Sequence, residues 1–558
     1  MTEYNLKSLK LPCLTGWMLR LFAVALKNSA TRALLMRDLF NRAGVLKFRK
    51  KIISEPPAYH PLTCDLQVHS SFRTDVETHF ENDRQNNITP FKSVRDYTNA
   101  YRSGTTTPEE VAKKVLNAIA EASNLNLPLH MFIACNRENV LAQAREASRR
   151  ISAGNPLSIL DGVPVAVKDE LDQVPYPTTA GTTFLGKKPA SRDATVVARL
   201  RAAGALLIGK TNMREIGINP NGLNDHYGTV RNPYHPVHES GGSSSGSTAA
   251  VASGICPVAI GADGGGSIRV PAAHCGVVGL KPTFGRISEH GTVPLCWSLA
   301  HLGPIGASTE DVALTYSFIA GPDPADPMSM GQPEVTLDEW NKADLNGLTL
   351  GIYPEWFDHA SPSVTTACKT MMGQLEQNGA LIRNIEIPEL DEMRIAHGII
   401  ILSEMAASME NHKEHHAKFG TSTQISLALG QVLASSDYIR AQRMRMRASR
   451  IFKKVVEKVD VILTPTTAIT APLIPSGGLR WGWSDLGTVT EQMRFVFPGN
   501  LIGLPAISFP AGYDEKGLPI GMQAIGHPWE EQVLLRVAYT AEKSVARKKP
   551  QIFFETLD

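Results

Sequence analysis

Six short apolar runs, at residues 162–167, 205–208, 258–262, 348–352, 459–463 and 506–509, recur along the chain, several with helix-like sequence between them. Runs of this length read as strands buried on both faces, and their alternation with helices reads as an α/β fold. We expect one domain built on a large, mixed and largely parallel twisted sheet, covered by helices on both faces, with a helical N-terminal extension. At Thr107-Pro108-Glu109-Glu110 a helix start is well marked. Thr107 is the cap, Pro108 takes the first helical position, Glu110 reaches back, and Val111, Val115 and Ile119 follow on one face. Residues 55–94 are polar, carry Pro56, Pro57, Pro61 and Pro90, and show no sustained period, which reads as a linker on the surface. The expected division is therefore 1–54 extension, 55–94 linker and 95–558 compact domain.

With 56 basic and 54 acidic residues the formal net charge is +2, so nothing global points to nucleic acid. The basic stretch RAQRMRMRASR (440–450) lacks interleaved aromatics and reads as a helix facing solvent or an acidic partner element. Seven scattered cysteines (Cys13, Cys64, Cys135, Cys256, Cys275, Cys296 and Cys368), never spaced Cys-x-x-Cys, read as reduced, intracellular and zinc-free. The cluster Glu410, His412, Glu414, His415 and His416 reads as a solvated helical face rather than a metal site, and no metal or cofactor is expected.

Residues 14–51 mix Trp17, Leu21, Phe22, Leu34, Leu35, Leu39 and Phe40 with nine Lys/Arg and one acid, Asp38. Arg20 and Lys27 cut the apolar stretch, so it is neither a signal-peptide core nor a spanning helix. It suits an amphipathic helical hairpin, either packed on the body or in contact with a membrane or acyl chain. An acid-poor transit peptide is the remaining alternative.

Three stretches carry chemistry. In VPVAVKDE, Lys168 ends an apolar run, where partial desolvation favours the neutral amine that a base requires. Snorkelling, or pairing with Asp169, is the plainer reading for one lysine. In ESGGSSSGSTAA (239–250), Gly242 to Gly246 matches the G-x-S-x-G pattern of a nucleophile elbow, but NPYHPVHES before it is no strand, so the elbow is rejected. In GADGGGSIR (261–269), three glycines precede Ser267 directly after an expected strand. The spacing fits neither a Walker loop nor a dinucleotide fingerprint. It offers the backbone N–H groups of Gly264, Gly265, Gly266 and Ser267 beside a hydroxyl, which is what an oxyanion hole needs.

Together GGSSSGS, GADGGGSIR and HCGVVGLKPTFGRIS, with Lys168 upstream, resemble the amidase signature family from about residue 95 to 550. The resemblance implies Ser267 as acyl-accepting nucleophile, Ser243 as bridging serine and Lys168 as base, with a cis peptide between Gly242 and Ser243. Ser244, Ser245, Asp263 and Arg269 are expected to hold the loop. Within the family, DGVPVAVKDELDQVPYPTTAGTTFLG, VDVILTPTTAITAP and NLIGLPAISFPAGYDEKGLPIGMQAIGHPW are most similar to the plant-type fatty acid amide hydrolases. That branch implies a fatty acyl amide substrate such as an N-acylethanolamine, a homodimer, and an intracellular enzyme peripheral on an internal, endoplasmic-reticulum-like membrane or cytoplasmic. Met213, Phe495, Leu501 and Ile502 are candidates to line an apolar acyl channel. The alternatives are a short-chain or aryl amidase, the A-type component of an amidotransferase, and a non-catalytic membrane-associated binding protein.

Overall fold

A computed structural model describes residues 4–9, 11–61 and 89–557. Most of the expected 55–94 linker lies outside the described residues, as does Cys64, and the other six cysteines are free. At the centre is an 11-stranded sheet in the order Leu381–Asn384, Thr349–Ile352, Val461–Pro465, Pro519–Gly526, Ala506–Tyr513, Val278–Lys281, Leu302–Gly306, Val258–Ala262, Pro164–Lys168, Leu206–Thr211 and Phe132–Ala134. All six apolar runs supply strands of this sheet.

The α/β class holds and the sheet is mixed, but the expected predominance of parallel pairs does not. Four neighbouring pairs are parallel and six are antiparallel. The reversals come partly from strands without long apolar runs. Leu302–Gly306 contains Gly and Pro, and Pro519–Gly526 returns from Ala506–Tyr513 as a hairpin. Both faces are covered, as side-chain alternation demonstrates. Val461 and Leu463 enter one core cluster and Ile462 the other; Ile507 and Phe509 enter the first and Ala506 the second.

Helix Pro108–Asn124 starts as expected, with the Thr107 capping box closed by Glu110 and Pro108 in its first turn. The N-terminal extension forms helices Gly16–Lys27 and Ser29–Arg42, preceded by a two-residue strand that pairs Leu14 with Ser484 and Thr15 with Trp483. Leu19, Ala23, Leu26 and Met36 bury against Ile425 and Leu429 of helix Thr421–Gln431. The basic stretch 440–450 turns out to hold this extension in place. Arg440 donates to Lys51 O (2.6 Å), Arg443 to Glu55 O (2.7 Å) and Arg447 to Glu55 Oε2 (2.9 Å). Arg447 pairs with the Glu55 carboxylate, while Arg450 stays 60% exposed. In segment Glu410–Lys418, His412 and His415 lie against the Phe184 ring, and among the described residues no three His, Cys, Asp or Glu groups are placed to hold a metal ion.

Candidate active site

Strand Pro164–Lys168 sits between two parallel neighbours and delivers Lys168 at its end, only 1% exposed. Strand Val258–Ala262 runs beside it and delivers the glycine loop. The loop 240–244 then enters from the side and leads into helix Ser245–Ala252. Lys168 Nζ donates to Ser243 Oγ at 2.9 Å and to Ala262 O at 3.3 Å. Lys168, Ser243, Gly264, Gly265 and Ser267 all line one cavity of about 200 Å³. Two adjacent parallel strands thus bring Lys168 and the glycine loop to the same end of the sheet, and the loop 240–244 adds Ser243 between them in sequence, 75 residues after Lys168 and 24 before Ser267. The peptide between Gly242 and Ser243 is cis. Asp169, the alternative partner for Lys168, faces Lys210 instead, at 3.3 Å.

The glycine loop is held from behind. Both oxygens of Asp263 are in use: Gly266 N–H donates at 2.6 Å, Ile268 N–H at 3.1 Å, Arg269 Nε at 3.0 Å and Asn500 Nδ2 at 2.9 Å. Arg269 also donates to Val496 O and Gln523 Oε1, at 3.0 and 2.6 Å. Burial alone would raise the Asp263 carboxyl, but the Arg269 charge and hydrogen bonds, with Lys281 and the Gly266 N–H, outweigh it and hold it well below the usual carboxylate range. Ser244 bridges strand and loop through Ala262 O (3.1 Å) and Ala262 N (3.2 Å), and Ser245 reaches Asn212 O at 3.4 Å.

The Asp263 bonds revise one expectation. The Gly266 N–H is committed to the carboxylate, so it is not a free oxyanion donor. Gly266 serves the loop's shape instead, since its φ of +110° disfavours any side chain. Among the described residues no hydrogen bond engages the N–H groups of Gly264, Gly265 and Ser267. A Cβ at Gly265 would come within 2.8 Å of His397 Cε1, so the ring shapes the loop by contact as well as by bonding. His397 was not legible in the sequence, where it is one histidine inside an apolar helix, Leu390–Ser408. Burial lowers it to about 4, only partly offset by its bond to the loop. The neutral ring therefore donates from Nε2 to Gly264 O at 2.9 Å.

The four acyl-channel candidates also need correction. Met213, Phe495 and Leu501 are wholly buried and Ile502 almost so, and none lines the cavity. Phe495, Leu501 and Ile502 belong to the core around Trp356 and Ile400. The apolar wall is built by Leu295, Ile401, Leu402, Val489, Met493 and Phe497. Composition identifies greasy segments but not which side chains face a void, because core and cavity wall demand the same residue types.

Comparison with known proteins fits this geometry. A family model described as Amidase matches residues 113–535. A fatty acid amide hydrolase of Arabidopsis thaliana is 37% identical, the alignment covering 100% of this chain and 97% of that protein. A fatty acid amide hydrolase of Medicago truncatula is 42% identical over 83% of this chain and 78% of that protein. A solved structure from a vestigial protein complex, described as revealing the evolutionary origins of an s-triazine catabolic enzyme, superposes with a TM-score of 0.75 at 32% identity, over 82% of this chain and 99% of that one. Family match, relatives and site geometry agree: the chain belongs to the amidase signature family and is an amide-hydrolysing enzyme.

Proposed function

We propose that this enzyme cleaves the amide bond of fatty acyl amides such as N-acylethanolamines, releasing fatty acid and amine through an acyl-enzyme on Ser267. The observation that carries the chemistry is the 2.9 Å contact between buried Lys168 Nζ and Ser243 Oγ, in one cavity with Ser267. A serine hydroxyl attacks a carbonyl only when a neighbour takes its proton. In this reading Ser243 takes the proton of Ser267 while passing its own to the amine of Lys168. The free N–H groups of Gly264, Gly265 and Ser267 receive the oxyanion. When the intermediate collapses, the relay runs backwards and protonates the leaving amine, without which an amide does not cleave.

Two observations support a lipid substrate. The cavity wall is apolar, and Leu429 and Leu486 border both this cavity and a second one of about 240 Å³ beneath the N-terminal helices, lined by Leu11, Leu14, Phe22, Leu35 and Leu39. Above it the helices expose Trp17 (70%), Leu21 (58%) and Leu34 (73%) to the outside. An acyl chain gains about 0.8 kcal/mol per buried methylene along such a route. No helix among the described residues is long and apolar enough to cross a membrane. We therefore infer peripheral contact with an internal membrane through residues 16–42. Alignment with the Arabidopsis relative extends over this segment.

The proposed organisation is extension 1–54, linker 55–94 and catalytic domain 95–558. A homodimer, carried over from the family resemblance, is proposed with it and is checked by static light scattering. The test of function is amine release from N-acylethanolamines of increasing chain length, with Ser267→Ala as the blank. We expect kcat/KM to climb with chain length and to fall by about 10³-fold or more in the variant. Turnover limited to short amides removes the lipid assignment, and an active Ser267→Ala removes the nucleophile.

A further inference from the structure

Beside Lys168 stands a second ionisable group with no part in the Ser-Ser-Lys relay. Glu170 Oε2 lies 2.8 Å from Lys168 Nζ, with side chains 8% and 1% exposed, and both residues line the cavity. Lys168 Nζ therefore donates to Ser243 Oγ at 2.9 Å and Ala262 O at 3.3 Å, and stands 2.8 Å from Glu170 Oε2, a buried oxygen with no hydrogen-bond partner of its own among the described residues. An ammonium group has three protons and no lone pair. So placed, it cannot take a proton from Ser243 until it gives one up, and the carboxylate is the acceptor within reach.

We propose that Glu170 is the proton-holding partner of Lys168, a positioning residue that receives the lysine's third proton and so leaves the amine free to act as base. One Nζ–H bond breaks and one Oε2–H bond forms. The pair passes from ammonium and carboxylate to amine and carboxylic acid, with no change in net charge and no exchange with solvent. The amine lone pair then accepts the Ser243 proton as Ser243 takes that of Ser267. Collapse of the intermediate returns this proton to the leaving amine, and the third proton passes back from Glu170 to Lys168. Two opposite charges in a buried site carry a desolvation cost that the neutral pair avoids.

Further acidic groups stand around the pair. Cys296, Asp263, Arg394 and His397 line the same cavity as the pair, and Glu289 and Glu404 act with Glu170 and Lys168 on the Cys296 thiol. Burial, then Glu404, Glu289 and Glu170, push the Cys296 thiol well above its ordinary value. Burial, then Asp326, Glu170 and Glu404, raise Glu289 to about 8. Glu404 accepts from Ser298 N–H at 3.0 Å and from Tyr438 at 2.9 Å, with Arg445 behind on Ser298. Behind the strand end, Lys210 is occupied by Asp169.

The inference rests on the Ser-Ser-Lys reading, and the experiment separates the two. Profiles of kcat/KM against pH are measured for the full-length wild type and Glu170→Gln, in parallel with the rate of fluorophosphonate labelling at Ser267. A wild type that is not labelled at Ser267 overturns the triad and this proposal with it. With labelling in place, the wild type should stay level through neutral pH, because its base forms by internal transfer. In Glu170→Gln the lysine must shed its proton to solvent. The acid limb of both profiles should then move to higher pH by more than about one unit, with a loss of about tenfold or more at pH 7 that alkaline pH restores. A limb that stays in place, or moves to lower pH as expected for a carboxylate that merely keeps the ammonium charged, overturns the proposal. If Glu170→Gln does not fold, Glu170→Asp keeps the proton acceptor. It should keep the wild-type limb at a lower kcat, and a shifted limb there also overturns the idea.

Discussion

The glycine loop at 263–269 and the helical pair at 16–42 are held by opposite means. In the loop, one wholly buried carboxylate collects N–H groups from its own turn, from Arg269 and from Asn500, while His397 bonds the loop carbonyl from the cavity side. In the helical pair, Leu19, Ala23, Leu26 and Met36 bury on one side, and Trp17, Met18, Leu21 and Val24 stand exposed on the other. Directional bonds in a dry site fix atoms to fractions of an ångström, and one-sided apolar contact does not. The first suits groups that must meet a developing charge. The second suits a surface that must meet a partner with no fixed shape.

Breaking the buried pair should give the largest effect. Arg269→Met leaves the Asp263 carboxylate buried without its partner and should cost about 3–5 kcal/mol in urea unfolding. A variant within about 1 kcal/mol of wild type would mean that Lys281 and Asn500 suffice. The same pair sets an acid dependence. A carboxyl held low in the folded state stabilises it above the unfolded value of about 3.9, and this contribution is lost as pH falls below that value. The urea midpoint should therefore start to drop near about pH 5 and keep dropping to well below about pH 3, and Asp263→Asn should flatten that part of the slope.

A smaller effect sharpens the contrast within the cavity. Gly265→Ala drives a methyl group to 2.8 Å from His397 and 2.9 Å from Met493. It should lower kcat by about 10²-fold, since misplacing donors by about an ångström has that effect. Gly398 lines the same cavity with nothing within 4 Å of its would-be Cβ. Gly398→Ala, inside helix Leu390–Ser408, should keep the rate and raise stability by about 0.5–1 kcal/mol. Equal rates in the two variants would remove the claim that loop geometry limits catalysis. The smallest effect on catalysis belongs to the helices. Trp17→Glu with Leu21→Glu should weaken binding to anionic vesicles about tenfold or more while a short, soluble amide is turned over within about twofold of wild type. Unchanged vesicle binding would place the contact elsewhere.

Much of the catalytic end was legible in sequence because each part is local. Strand ends, the glycine run and the capping box at Thr107 obey rules that span a few residues, and all six apolar runs became strands of the sheet. Pairing direction was less legible, since an apolar run reads the same whether its neighbour is parallel or antiparallel. The cavity wall was misassigned for a related reason: Phe495 and Phe497 are both buried aromatics two positions apart, and only Phe497 faces the cavity.

By itself, then, the sequence determined the α/β class, the six strands, the helix start and the position of the glycine loop, because backbone propensity and apolar periodicity are short-range. Tertiary structure alone decided that Glu170 rather than Asp169 faces Lys168, that Gly266 is tied to Asp263, that His397 braces the loop, and that the 440–450 arginines hold residues 51–55. Those outcomes join residues up to 392 positions apart. Which of several possible partners a buried charge meets depends on where the rest of the chain brings its acceptors.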